Sequence, residues 1–187
     1  MELTPVFLDR CRPLLRLMAQ KMQLDDKLRR RFDSSDIVQE TLMRAVAKGD
    51  QFRGDTEAEA VGWLKRVLHT VAHNKREEAE AQRRNYQREL PDVDWDDSLS
   101  AMPELAISTL HPDDRVARTE LLIKLAQRIY QLPEDQCDVV NLRSIQGCSV
   151  PEIARLLGKS EKAVAGLLYR GYRALRVYAL ELGLEPE

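Results

Sequence analysis

Apolar residues recur with helical period over two stretches of the chain and lose that period between them. Thr4-Pro5 reads as an N-cap followed by a first-turn proline, and Phe7, Leu8, Leu14, Leu15 and Met18 then predict a helix over about 5–22. Leu24, Leu28 and Phe32 edge a charged run, Asp25 to Arg31, whose Arg29, Arg30 and Arg31 either meet phosphate or form a solvated face. Asp33 can cap a following helix with Asp36 in its first turn. Ile37, Val38, Thr41, Leu42, Ala45 and Val46 form that helix's apolar face, and Gly49 ends it. Thr56-x-x-Glu59 is a capping box opening a long helix through Trp63, Leu64, Val67, Leu68 and Val71 to about Arg84.

Residues 86–111 carry Pro91, Pro103 and the acids Asp92, Asp94, Asp96 and Asp97 with no sustained period, which predicts a linker. A helix from Pro112 with Val116, Leu121, Leu122, Leu125 and Ile129 runs to Leu132-Pro133. The next has Val139, Val140, Leu142 and Ile145 as apolar positions and Gly147 as its stop. Ser149 and Glu152 then form a second capping box around Pro151, and Ile153, Ala154 and Leu157 face inward before Gly158 permits a reversal. Ser160 caps a last helix with Val164, Leu168 and Leu175 on one stripe, Leu167 at its edge, and Lys162, Gly166, Tyr169 and Arg173 opposite. Two short elements around a glycine turn, the second with a basic outer face, have the geometry of a DNA-binding helix-turn-helix; the plainer reading is a helical hairpin.

Charged residues make up 32% of the chain and aromatics 5%, which favours helices over sheets. The net charge of -2 hides an uneven distribution. Residues 61–90 hold seven basic against four acidic residues, and 149–178 hold six against two, whereas 91–118 hold seven acidic against two basic. The expected architecture is therefore all-α, with two small helical domains, 1–85 and 112–187, joined by an acidic linker. Cys11, Cys137 and Cys148 lack metal-type or redox-type spacing and read as small core residues in a reducing, cytoplasmic setting. No run of about 18 apolar residues suggests a membrane span. His69 and His73 could share a metal, but no third ligand is evident, so neither metal nor cofactor is expected.

Two surfaces of the first domain invite chemistry. Asp36, Gln39, Glu40 and Met43 cluster opposite the apolar face, acidic and amide-bearing with an exposed methionine, suited to docking on a basic partner or else merely solvated. The loop Phe52-Arg53-Gly54 can cradle an unpaired base, or Phe52 can be a core plug. The polar side of the following helix presents Lys65, Arg66, His69, Thr70, His73 and Asn74. No nucleophile triad, phosphate-binding glycine loop or metal cluster points to an enzyme.

The motifs Asp33-x-x-Asp36-Ile-Val-Gln-Glu-Thr41, Phe52-Arg-Gly54, Trp63-Leu-x-Arg66, Leu132-Pro133-Glu, Leu142-Arg143, Gly147-x-Ser149 and Glu152-Ile-Ala-x-x-Leu-Gly158-x-Ser160 occur in this order. With them the chain resembles, over nearly its full length, the extracytoplasmic-function (group IV) sigma factors of the sigma-70 family. The resemblance implies a region two domain and a region four domain, with the linker in place of region three. It implies docking of Asp33, Asp36, Gln39, Glu40 and Met43 on the largest subunit of core RNA polymerase. Phe52, Arg53 and Gly54 would capture an extruded minus-ten base. Trp63, Lys65, Arg66, His69, Thr70, His73 and Asn74 would read and open that element. Ser160, Lys162, Ala165, Gly166, Tyr169, Arg170 and Arg173 would meet the minus-thirty-five duplex while the second domain packs on the second-largest subunit. An anti-sigma protein is a further partner that the resemblance admits.

Two departures from the family pattern bear on these roles. Thr70 stands where asparagine is common, and Ala165, Gly166 and Leu167 occupy recognition-helix positions that are often basic or polar. Direct readout there rests chiefly on Lys162, Tyr169, Arg170 and Arg173. The alternative function is a helix-turn-helix regulator that binds duplex DNA without polymerase; a polymerase adaptor that reads no DNA is a further one.

Overall fold

The computed structural model describes residues 2–22, 33–81 and 115–182. The run 25–31, the acidic linker 86–111, the helix extension to Arg84 and the helix start at Pro112 lie outside the described residues. The chain divides into two compact units, Met1–Val93 and Asp94–Glu187, and every regular element among the described residues is helical.

In the first unit, helix α1 (Pro5–Met22), α2 (Ser34–Ala47) and α3 (Glu57–Ala81) pack pairwise on one another. Local chemistry sets where each begins. Thr4 Oγ1 accepts from the Phe7 amide, Asp33 accepts from the Ser35 amide, and Thr56 and Glu59 exchange side-chain to backbone bonds. Leu14, Leu15, Leu17, Val38, Leu64, Leu68 and Val71 are fully buried between the three helices. Arg10 bridges α1 to α3 through both oxygens of Glu57. Val46, read from its period as part of the apolar face, is 68% exposed: it directly follows Ala45, the last buried side chain of α2, and points about 100° away from it around the helix, at the next-to-last position of that helix.

The second unit comprises α4 (Arg115–Tyr130), α5 (Glu134–Val140), α6 (Val150–Leu157) and α7 (Glu161–Glu181). Its core gathers Ile123, Ile129, Val139, Val140, Ile153, Val164 and Leu175. Val116 is 48% exposed rather than buried, since it belongs to the first turn of α4. After α5 the backbone widens into a π-helical turn, Asn141–Ile145, that helical periodicity alone does not reveal. The Ser144 and Tyr172 hydroxyls, 2.8 Å apart, join that turn to α7. Cys11 is buried, and desolvation pushes its thiol up to about 12, so it is an inert core group; Cys137 and Cys148 are only half-buried.

Candidate functional site

The helix-turn-helix is built from its caps. Ser149 accepts from the Glu152 amide while the Glu152 carboxylate accepts from the Ser149 amide and hydroxyl, at 2.8 and 2.6 Å. These bonds to the charged form hold the Glu152 carboxyl below its ordinary range, the Ser149 hydroxyl first. Gly147 and Gly158 both adopt positive φ, 69° and 62°, which a residue with a Cβ resists. Ser160 then accepts from the Ala163 amide and starts α7. Lys159, in the turn, reaches back to Asp135 at 3.1 Å, and Arg143 donates to the Cys148 carbonyl. Both cations therefore brace the motif.

Packing fixes which face of α7 looks outward. Val164, Leu168, Leu175 and Ala179 are buried. Ser160, Lys162, Ala165, Tyr169, Arg170 and Arg173 are exposed, with Gly166 half-exposed among them and Tyr169 exposed to 69%. Sequence reasoning did not single out Gly171. It is buried, and a Cβ there would come within 2.7 Å of Val140 Cγ2, so this glycine lets α7 cross α5 closely.

In the first unit, Phe52 lies half-buried with its ring 5.9 Å from that of Trp63 and inclined by 53°. Its ring also lies over Gly54, where an added Cβ would meet Phe52 Cζ at 2.5 Å. Arg53 is exposed and donates to the Asp50 carbonyl, closing the loop. Along α3 the side chains of Arg66, Thr70 and His73 are exposed, and Lys65, His69 and Asn74 are half-exposed. Thr70 donates to the Arg66 carbonyl one turn back and His73 lies 3.4 Å from Glu77. No group of residues suited to hold a metal occurs among the described residues.

Asp36, Gln39, Glu40 and Met43 do share one surface, lining an open groove of about 670 Å³ with Arg44, Ala47 and Lys75. Asp33 stands at the start of the same helix, its carboxyl held low by the Ser35 amide. The groove is less acidic than the sequence implies. Lys75 and Arg44 approach the Glu40 carboxylate at 2.9 and 2.6 Å, and Arg12 donates to the Gln39 amide oxygen. The Lys75 contact foremost keeps the Glu40 carboxyl below its usual range. The Arg44 pairing was legible as a one-turn spacing on a helix. Lys75 and Arg12 arrive from other helices, so only the packing of α1, α2 and α3 brings them in.

A family model described as Sigma-70, region 4 matches residues 122–175. The ECF RNA polymerase sigma factor SigL of Mycobacterium tuberculosis is 30% identical over 151 residues, covering 81% of this chain and 77% of SigL. The chain belongs to the extracytoplasmic-function sigma factors. SigX of Bacillus subtilis is 29% identical over 143 residues, 76% of this sigma factor and 69% of SigX. The sigma factor RpoE, solved in complex with the anti-sigma factor NepR from Bartonella quintana, aligns over 91% of this chain and 90% of its own at 19% identity, with a TM-score of 0.33 that adds nothing to the assignment. The protein is thus a transcription initiation factor whose region 4 contains the helix-turn-helix of α6 and α7. Sigma factors are regulatory, non-catalytic subunits. No helix of the described residues is long and apolar enough to cross a membrane.

Proposed function

We propose that this sigma factor divides promoter recognition between its two units, with residues 1–85 docking on polymerase and opening the minus-ten element and residues 112–187 positioning the enzyme at minus thirty-five. The observation that carries this reading is the outward face of α7. Lys162, Tyr169, Arg170 and Arg173 project from a helix whose opposite side is wholly buried, at the end of a capped and glycine-turned helix pair. Such a helix seats in a major groove, where arginine and lysine reach guanine edges and phosphates. Ser160 and the small Ala165 and Gly166 complete that face.

Asp33, Asp36, Gln39, Glu40 and Met43 form the docking surface for the largest polymerase subunit, with Met43, 64% exposed, as its apolar anchor. Phe52, Arg53, Gly54 and Trp63 hold an extruded minus-ten base, and Lys65, Arg66, His69, Thr70, His73 and Asn74 follow the separating strands. Flipping a base costs a few kcal/mol, which stacking in the pocket must offset. The Phe52 ring packs against Trp63 and over Gly54, so the aromatic surface is preassembled. The second unit packs on the second-largest subunit, an anti-sigma protein is a further partner, and the factor acts in the cytoplasm without catalytic activity of its own.

Separating the faces tests the reading. Asp36→Lys should weaken core polymerase binding, whereas Arg170→Ala with Arg173→Ala should weaken promoter binding by the resulting holoenzyme at unchanged core affinity. Loss of core binding by the arginine variant, with Asp36→Lys neutral, would reverse the assignment.

A further inference from the structure

Two glycines stand inside helices where neither backbone conformation nor packing among the described residues asks for one. Gly62 is the sixth residue of α3 and Gly166 the sixth of α7. Glycine gives up the most conformational entropy in a helix interior and is disfavoured there relative to alanine. Positive φ accounts for Gly147 and Gly158, and the crossing against Val140 accounts for Gly171. Neither reason applies at the other two. A Cβ on Gly62 would meet no described atom within 4 Å, and one on Gly166 would meet only Arg170 Nη1 at 3.6 Å, an ordinary contact with the end of a flexible side chain.

Their surroundings are alike. At about 100° per residue, Gly166 lies within roughly 40° of Lys162, Arg170 and Arg173 around α7, and Gly62 within roughly 40° of Arg66, His69 and His73 around α3. All six neighbours are exposed or half-exposed. Each glycine is therefore a notch in the helix surface, ringed by cations and hydrogen-bonding groups. A notch of this kind brings the helix backbone closer to an opposing polyanion and lets the flanking side chains reach further past it. It answers to no packing contact among the described residues and lowers helix stability, the pattern of a position kept for an external contact.

We infer that Gly62 and Gly166 are close-approach points at which the helix backbone lies directly against DNA, Gly166 against the minus-thirty-five duplex and Gly62 against the minus-ten element. The inference rests on the division of promoter recognition proposed above and assigns these glycines as positioning residues within it. Adding a methyl removes no charge and no hydrogen bond, so steric approach can be separated from electrostatics.

The test uses the full chain loaded on core polymerase, comparing Gly62→Ala, Gly166→Ala and the bulkier Gly62→Leu and Gly166→Leu with Arg173→Ala. Both alanine variants should raise the thermal midpoint of the free factor, because alanine favours helix. Both should nonetheless lower promoter affinity about tenfold, more for leucine, at unchanged core affinity. The slope of log affinity against log salt should stay as in the parent for the glycine variants and become shallower for Arg173→Ala. Unchanged or tighter promoter binding by the stabilised alanine variants would overturn the inference. If Arg173→Ala weakens binding and the glycine variants do not, only the glycine assignment falls; if Arg173→Ala is also silent, the DNA-facing assignment of α7 falls with it.

Discussion

Lys75 Nζ lies 2.9 Å from Oε2 of Glu40, while Arg44 Nη2 takes the other carboxylate oxygen at 2.6 Å, so a single carboxylate in the proposed docking groove also ties α3 to α2. The proposed docking role and the fold are therefore mixed at Glu40 in a way they are not at Asp36. Glu40→Gln should cost about 1 kcal/mol or less, since all three groups are partly solvated. Glu40→Lys, which sets three cations together, should cost more and weaken core binding as a secondary effect. Asp36→Lys, which puts a cation in the first turn of α2 where the helix dipole favours an anion, should cost roughly 0.5–1 kcal/mol without breaking a contact between helices. Urea unfolding beside core-binding measurements checks the difference.

Phe52 is expected to serve the opened promoter more than the folded protein. Its half-buried ring against Trp63 limits the stability loss of Phe52→Ala to roughly 1–2 kcal/mol. The rate of open-complex formation should fall much further, with core affinity retained. Stopped-flow detection of unstacked promoter bases compares the two effects.

Gly171→Ala should destabilise the protein despite the better helix former. The added Cβ at 2.7 Å from Val140 Cγ2 overpacks a buried crossing, typically worth about 1–3 kcal/mol. Combining it with Val140→Ala should recover part of that loss, since the obstructing methyls are then gone. Thermal unfolding of the single and double variants measures the coupling.

The two capping boxes predict the direction of acid sensitivity. Glu59, through the Asp55 amide first, and Glu152, through the Ser149 hydroxyl first, titrate below the ordinary 4.5 of a glutamate when folded. A lowered folded pKa contributes stability that is complete above the unfolded value and is lost as pH falls through the folded one. Stability should therefore hold at neutral pH and decline below about pH 4.5. Glu59→Gln with Glu152→Gln should flatten that decline, as shown by urea midpoints collected between neutral and acid pH.

Much of the fold could be read directly from local signals. The Ser149 and Thr56 capping boxes, the Asp33 and Ser160 caps and the Gly158 reversal each depend on residues within a few positions of one another, and each forms as its spacing implies. What escaped the sequence depends on which helices meet. Lys75 reaches Glu40 across a helix crossing, Gly171 is needed because Val140 faces it, and Val46 is left exposed because the described helices pack on the side of α2 that Leu42 and Ala45 occupy. The π-helical turn at Asn141–Ile145 is a further case, because its apolar residues fit an ordinary helical period. The outward faces of α3 and α7 were legible as basic stripes, whereas the meaning of their glycines required knowing that nothing else in the described structure stands against them.

This sigma factor directs core RNA polymerase to particular promoters and opens them there. The most direct measurement maps unpaired bases on a library of promoter fragments incubated with core polymerase, with and without the purified factor. Sequence-specific opening should depend on the factor and be lost in the Phe52→Ala, Arg53→Ala double variant while core binding persists. Opening that is unchanged by the factor, or a factor that fails to bind core at all, would contradict that role.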